Sequence, residues 1–292
     1  MPIISISAFI TQSVLAHAWR PVRGGSLYGI SGMVVLNQQT DAVELLVVHD
    51  NKQPDQYRLG RVTIQGDEQP GYVPLRWPQN NLGMPVDLEA LTAVPGQPGT
   101  YMAATSLGKV YHFRFDRTRN AIAVLAVFDL PGLAPGSNLE GFSLTQIDGE
   151  LVAVWAHRGE GLQPARLYWG TLNLHPDRPL LLGATNLKVP LAVPQVRHIA
   201  DLKVDSAGVV YITAASDRGD DGPFQSAVYV AGVIGRCDKT FSFRQPLQLV
   251  PLYRERYHKI EAIELLPGTT GGVVLATDDE AMGGSILIAG DE

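Results

Sequence analysis

The chain has a single cysteine, Cys237, in 292 residues. Without a second thiol it can build neither an internal disulfide nor a thiolate zinc site, and Cys237 reads as a small core residue. Basic blocks are also missing. Lys and Arg total 23 against 29 Asp and Glu, a net charge of −6 with no cationic stripe, so nucleic acid and anionic membrane surfaces are excluded as partners. No apolar run is long enough to span a bilayer: Ile3 to Leu15 is broken by Ser5, Ser7, Thr11, Gln12 and Ser13. Ala16-His17-Ala18 matches a signal-peptide cleavage pattern, but no Lys or Arg precedes it. HExxH, P-loop, dinucleotide and GxSxG signatures are absent. Asp217-Arg218-Gly219-Asp220-Asp221-Gly222 lacks the alternating acids of an EF-hand loop, and its Arg-Gly-Asp tripeptide is too short to carry meaning.

What is abundant is turn chemistry. With 30 Gly and 20 Pro among 45% hydrophobic residues, the chain reads as many short strands rather than long helices. One pattern recurs: a polar residue, Leu or Ile, usually Glu, then Gly or Ala, then an apolar residue. Its copies are Asp87-Leu88-Glu89-Ala90-Leu91, Asn138-Leu139-Glu140-Gly141-Phe142, His198-Ile199-Ala200-Asp201-Leu202 and Lys259-Ile260-Glu261-Ala262-Ile263, with Gly29-Ile30-Ser31-Gly32-Met33 as a degenerate first copy. The central positions 31, 89, 140, 200 and 261 are spaced by 58, 51, 60 and 61 residues. These intervals exceed the roughly 40 to 50 residues of common propeller repeats, which implies longer loops.

Each copy opens a set of strands. In the second, Leu88 to Val94, Tyr101 to Thr105, Val110 to Phe115 and Ala121 to Phe128 are separated by Pro95-Gly96, Gly108 and Arg119-Asn120. Four strands per repeat predict an all-β, five-bladed β-propeller occupying residues 1–292 as one domain. Only three strands follow the last opening, Ile260 to Leu266, Val273 to Thr277 and Ser285 to Ala289. An N-terminal strand over Ser13 to Trp19 is therefore expected to complete the fifth blade and remove two free edges. That placement argues against a cleaved leader. With the lack of disulfides it favours a cytoplasmic location, a secreted or periplasmic one remaining open.

The repeat openings meet at one end of the central channel. Glu89, Glu140 and Glu261 converge there, with Asp201 available where blade four has Ala200. Gathered carboxylates require a cation or raised pKa values, so calcium is the expected ion. The structural alternative pairs these glutamates with Lys259, His198 or backbone amides. Loops after the second strands return to the same mouth carrying His49, Asp50 and Lys52, then His157 and Arg158, then Asp217 and Arg218, then Asp278 and Asp279. Arginine and lysine suit an anion, histidine and aspartate suit proton transfer, and loops of any propeller are also polar for solubility alone.

The openings Asp87-Leu88-Glu89-Ala90-Leu91 and Asn138-Leu139-Glu140-Gly141-Phe142 resemble those of the esterase-like phytase and SdiA-regulated propeller families, and Gly29-Ile30-Ser31-Gly32-Met33 is similar to their first-blade variant. The resemblance runs from about Tyr28 to Ala289. It implies a channel metal and phosphate-ester hydrolysis; calcium-activated apyrases are a second relative by pattern. Ser31 and Ala200 depart from the glutamate of the motif.

Two functions follow. An enzyme would hold calcium through Glu89, Glu140, Asp201 and Glu261. It would bind a small anionic substrate through His49, Lys52, Arg158, Asp217, Arg218 and Asp279, and use Asp50, His157 or Asp278 in proton transfer. A non-catalytic propeller would use the same rim to hold a ligand or a partner protein.

Overall fold

The computed structural model describes residues 18–174, 177–220, 222–268 and 272–289. Its strands group into five antiparallel sheets, as the repeat predicts. Blade 1 comprises Gly32–Gln39, Ala42–Val48, Leu59–Gln65 and Gly71–Leu75, and blade 2 comprises Leu88–Ala93, Thr100–Thr105, Lys109–Asp116 and Ala121–Asp129. Blade 3 follows with Leu139–Ile147, Glu150–His157, Ala165–Leu174 and Asp177–Leu187, then blade 4 with Val196–Val204, Val209–Ser216, Ser226–Cys237 and Thr240–Arg244. Blade 5 is Ile260–Leu265, Val273–Thr277, Gly284–Ala289 and, from the other end of the chain, Arg20–Arg23. The first strand of each blade packs against the first strand of the next, and Ile260–Leu265 against Gly32–Gln39 closes the ring.

Burial follows position within the blade. The second strand Thr100–Thr105 is buried at every residue, because both sheet faces meet neighbouring blades, whereas the outer strand Ala121–Asp129 is largely exposed or half-buried. Apolar side chains between adjacent blades form the core; Trp77, Tyr111 and Phe113 pack edge to face between blades 1 and 2.

Three details differ from the sequence expectation. The closing strand is Arg20–Arg23, paired with Gly284–Ala289, so the closure lies just after the expected segment; residues 13–17 lie outside the described residues. Trp19 is instead an anchor, its Nε1 donating to Glu255 at 2.7 Å and its ring 4.8 Å from His258. Blade 4 carries a further strand, Pro251–Glu255, on the first half of Ser226–Cys237, while Thr240–Arg244 covers the second half. The third strand is too long for one neighbour, which accounts for part of the interval before the fifth repeat. Cys237 ends that long strand and is exposed, not a core residue.

Candidate functional site at the channel mouth

The recurring motif is a bulge. Opposite Thr105 and Ala104 stand Leu88 and Ala90, with Glu89 left unpaired between them; Glu140 and Glu261 occupy the same place in blades 3 and 5. An extra residue in one strand turns its side chain out of the normal alternation, and here the three glutamates become buried groups of the channel mouth. The small residue after each one lets neighbouring first strands approach. A Cβ on Gly141 would stand 2.7 Å from Leu202.

Blade 4 departs from this scheme, and its departure organises one half of the mouth. Its bulge lies between Arg197 and Asp201, and Arg197 supplies a guanidinium where blades 2, 3 and 5 supply carboxylates. Nη1 lies 2.7 Å from Glu261 and 3.8 Å from Glu140, and Nη2 lies 2.8 Å from Asp217. Arg158 holds Glu140 at 3.4 Å and Glu160 at 3.0 Å, while Lys259 holds Glu261 at 3.1 Å and also Glu280. Burial opposes the charge on Arg197 and Lys259, but the surrounding carboxylates, Glu261 first, keep both protonated. Burial pushes Glu140 up to about 7, with Arg197 working in the opposite direction. Blades 3 to 5 thus carry a charge-paired network.

The other half of the mouth lacks such compensation. Glu89 is 8% exposed, and neither its carboxyl nor that of half-buried Asp50 takes a hydrogen bond or ion pair among the described residues. Burial, then Glu140 and Asp50, hold Glu89 well above the usual carboxylate range; burial, then Glu261, push Asp50 up to about 6. Asp278 is raised by burial and by Glu261 as well. Its carboxylate lies against Gly29, where any Cβ would fall 2.1 Å from Oδ1, and accepts only the Glu280 amide at 3.0 Å. Ser31 Oγ is buried without a hydrogen-bond partner among the described residues. The nearby cation, Lys52, is exposed and bonded to Asp87 at 3.0 Å.

Several expected site residues serve the scaffold instead. His49 is buried between Gly29 O at 2.6 Å and Tyr72 Oη at 2.9 Å, and burial lowers it to about 4, so it stays neutral at physiological pH. Asp279 accepts from the Lys259 amide at 2.7 Å and from Thr277 Oγ1 at 2.8 Å, and pairs with His258 at 2.6 Å, so both its oxygens are engaged by the scaffold. His157 rests its Nδ1 on the Asn138 backbone amide at 2.9 Å. Arg218 is exposed on its loop, apart from the paired network.

Asp201 belongs to another level of the channel. It stands at the small-residue position of the motif rather than the glutamate position, and its carboxylate accepts from Ile263 N at 2.9 Å and Leu202 N at 2.7 Å. The expected calcium shell therefore does not fit these side chains: Asp201 faces blade 5, Glu140 and Glu261 share Arg197, and no three His, Cys, Asp or Glu side chains among the described residues are gathered to hold a metal ion. Arg197 itself escaped the sequence reading, which looked for acids at the motif centre. Its signal was an arginine just before the fourth motif copy, one of the two without glutamate.

No protein-family model matches the sequence, and no curated protein matches it. Solved structures do match over nearly the whole chain. An exo-1,5-α-L-arabinanase from a bovine ruminal metagenomic library superimposes with a TM-score of 0.54 at 8% identity, covering 92% of this chain and 95% of its own. An endo-arabinase from Bacteroides thetaiotaomicron gives 0.50 at 11% identity, covering 94% and 98%. At such identities the likeness establishes the propeller fold, shared with hydrolases. Neither neighbour is a phytase, so what the motif resemblance and the structure have in common is the propeller itself. No helix among the described residues is long and apolar enough to cross a membrane.

Proposed function

We propose that the mouth is a hydrolytic site for a neutral, polyhydroxylated substrate, a glycoside, with Glu89 as general acid and Asp50 as general base. The observation that carries this reading is the unpaired half of the mouth: two buried or half-buried carboxyls that take no hydrogen bond or ion pair among the described residues, both raised by burial. Near neutral pH the Asp50 carboxyl, at about 6, is mainly ionised, and the proton is assigned to Glu89, whose carboxyl burial holds above the usual range. Glu89 gives that proton to the glycosidic oxygen as the bond to the anomeric carbon breaks. Asp50 takes a proton from the attacking water, and exchange with solvent resets both groups. The arabinanase neighbours lend support to this substrate class.

Phosphate-ester hydrolysis, implied by the motif resemblance, has less support. A phosphate brings further negative charge to a mouth where Lys52, Arg158, Arg197 and Lys259 already hold carboxylates.

The test is reducing-end release from linear arabinan and a panel of neutral oligosaccharides by the native protein, Glu89→Gln and Asp50→Asn. Turnover that is lost in Glu89→Gln with its folding intact supports the assignment. Phosphate release from a phosphomonoester, with no sugar cleaved, overturns it in favour of the phytase-like alternative. Saturable glycan binding without cleavage reduces the mouth to a binding well.

A further inference from the structure

Deeper in the channel the same first strands meet again, and here side chains serve backbone groups that face the axis. A first strand has one edge paired within its blade and the other facing the axis, where amides and carbonyls need partners. The amides find them in the preceding blade: Leu144 N donates to Thr92 Oγ1 at 3.1 Å, Val204 N to Ser143 Oγ at 3.1 Å, and Ile263 N to Asp201 Oδ2 at 2.9 Å. Carbonyls need a donor instead. Converging carbonyl oxygens with an acidic side chain form the donor set that small cations bind.

We propose that this level of the channel is a small-cation site whose built-in occupant is the ammonium of Lys203. Nζ donates to Met33 O of blade 1 at 2.8 Å and to Leu91 O of blade 2 at 2.5 Å, and lies 3.2 Å from Glu264 Oε2 of blade 5. An ammonium has three donors and here meets three acceptors from three blades, while its own backbone belongs to blade 4. The side chain is 5% exposed, so the charge is withdrawn from water and depends on these contacts. A cavity of about 420 Å³, lined by Thr92, Ser143, Lys203, Asp205 and Glu264 among others, leads to this point from the end opposite the mouth. Lys203 thus ties the ring across its axis. The site is independent of the glycoside reading.

The experiment is chemical rescue. Lys203→Ala removes the tethered ammonium and leaves its acceptors in a cavity open to solutes of matching shape. Its melting temperature is expected to fall by roughly 10 °C, and n-propylammonium chloride is expected to recover most of that loss. Tetramethylammonium chloride at equal ionic strength cannot donate and recovers little. Lys203→Met fills the space without charge, and is expected to be destabilised and to ignore both salts. The proposal is overturned if either variant melts with the native protein, or if the two salts act equally on Lys203→Ala. Should Lys203→Ala fail to fold unaided, refolding becomes the readout: recovery with n-propylammonium alone supports the site, and recovery with neither cation overturns it.

Discussion

The two halves of the channel mouth use the same bulged strands and reach opposite electrostatic outcomes. In blades 3 to 5, Arg197, Arg158 and Lys259 meet Glu140, Glu261, Asp217, Glu160 and Glu280 in one network, with Asp278 of blade 5 standing outside it. In blades 1 and 2, Glu89 and Asp50 take no hydrogen bond or ion pair among the described residues. The first arrangement holds blades in place. The second raises the energy of the folded protein at neutral pH, and an uncompensated cost of this kind is where a catalytic role is sought.

The largest expected effect breaks the unpaired half. Glu89→Gln keeps the shape and removes the dissociable proton, so glycoside turnover is expected to drop by about 10²- to 10⁴-fold, the range of a lost general acid. Stability is expected to hold or rise, since no bond is lost and a costly buried carboxyl is gone. Parallel kinetics and thermal melts check both statements; a protein that loses activity only because it unfolds would sink the catalytic assignment.

Breaking the paired half should do the reverse. Arg197→Met leaves Glu140, Glu261 and Asp217 without their shared cation, and removal of one partner from a buried pair costs about 3 kcal/mol. Denaturant melts are expected to show a loss of that order. A change below about 0.5 kcal/mol would mean that solvent, rather than Arg197, balances these carboxylates.

This contrast was only partly legible in the sequence. The blades and the ring were, because a bulge that aims one residue inward demands a small neighbour and repeats as a motif; Glu89-Ala90, Glu140-Gly141 and Glu261-Ala262 each show it. The ring closure was legible to within a few residues, Arg20–Arg23 standing just beyond the expected segment. Which carboxylate keeps a partner was not, since Arg197 reaches Glu261 across 64 positions of sequence. His49 and Asp279 misled because polar loop residues at a mouth look alike in sequence, whether they face a ligand or cap a backbone amide. Lys203 gave no signal at all: its acceptors are backbone carbonyls, which any residue provides.

A smaller effect sharpens the comparison through pH. Asp50 has a folded-state value of about 6, above the roughly 4 of an unfolded aspartate. Between these values the native protein binds more protons than the unfolded chain, so stability is highest at the acid end of this window and falls as pH rises through 6. Melting temperature is expected to decline by a few degrees from pH 5 to pH 7.5, and Asp50→Asn is expected to lessen that slope, Glu140 at about 7 supplying part of the rest. An identical slope in the variant would assign the dependence to other groups.

The smallest expected effect concerns calcium, and it decides what the unpaired carboxyls are for. An ion bound to the native state at a hundredfold excess over its dissociation constant adds about 2.7 kcal/mol, which in a chain of this size raises the melting temperature by several degrees. The carboxyls of the mouth are not gathered as such a shell requires, and Arg197 already neutralises two of the three motif glutamates. Millimolar calcium added to EDTA-treated protein is therefore expected to move the melting temperature by less than about 1 °C. A rise of several degrees that Glu89→Gln abolishes would reassign Glu89 from proton donor to metal ligand. The same rise in Glu89→Gln would place the ion elsewhere and leave the acid–base assignment standing.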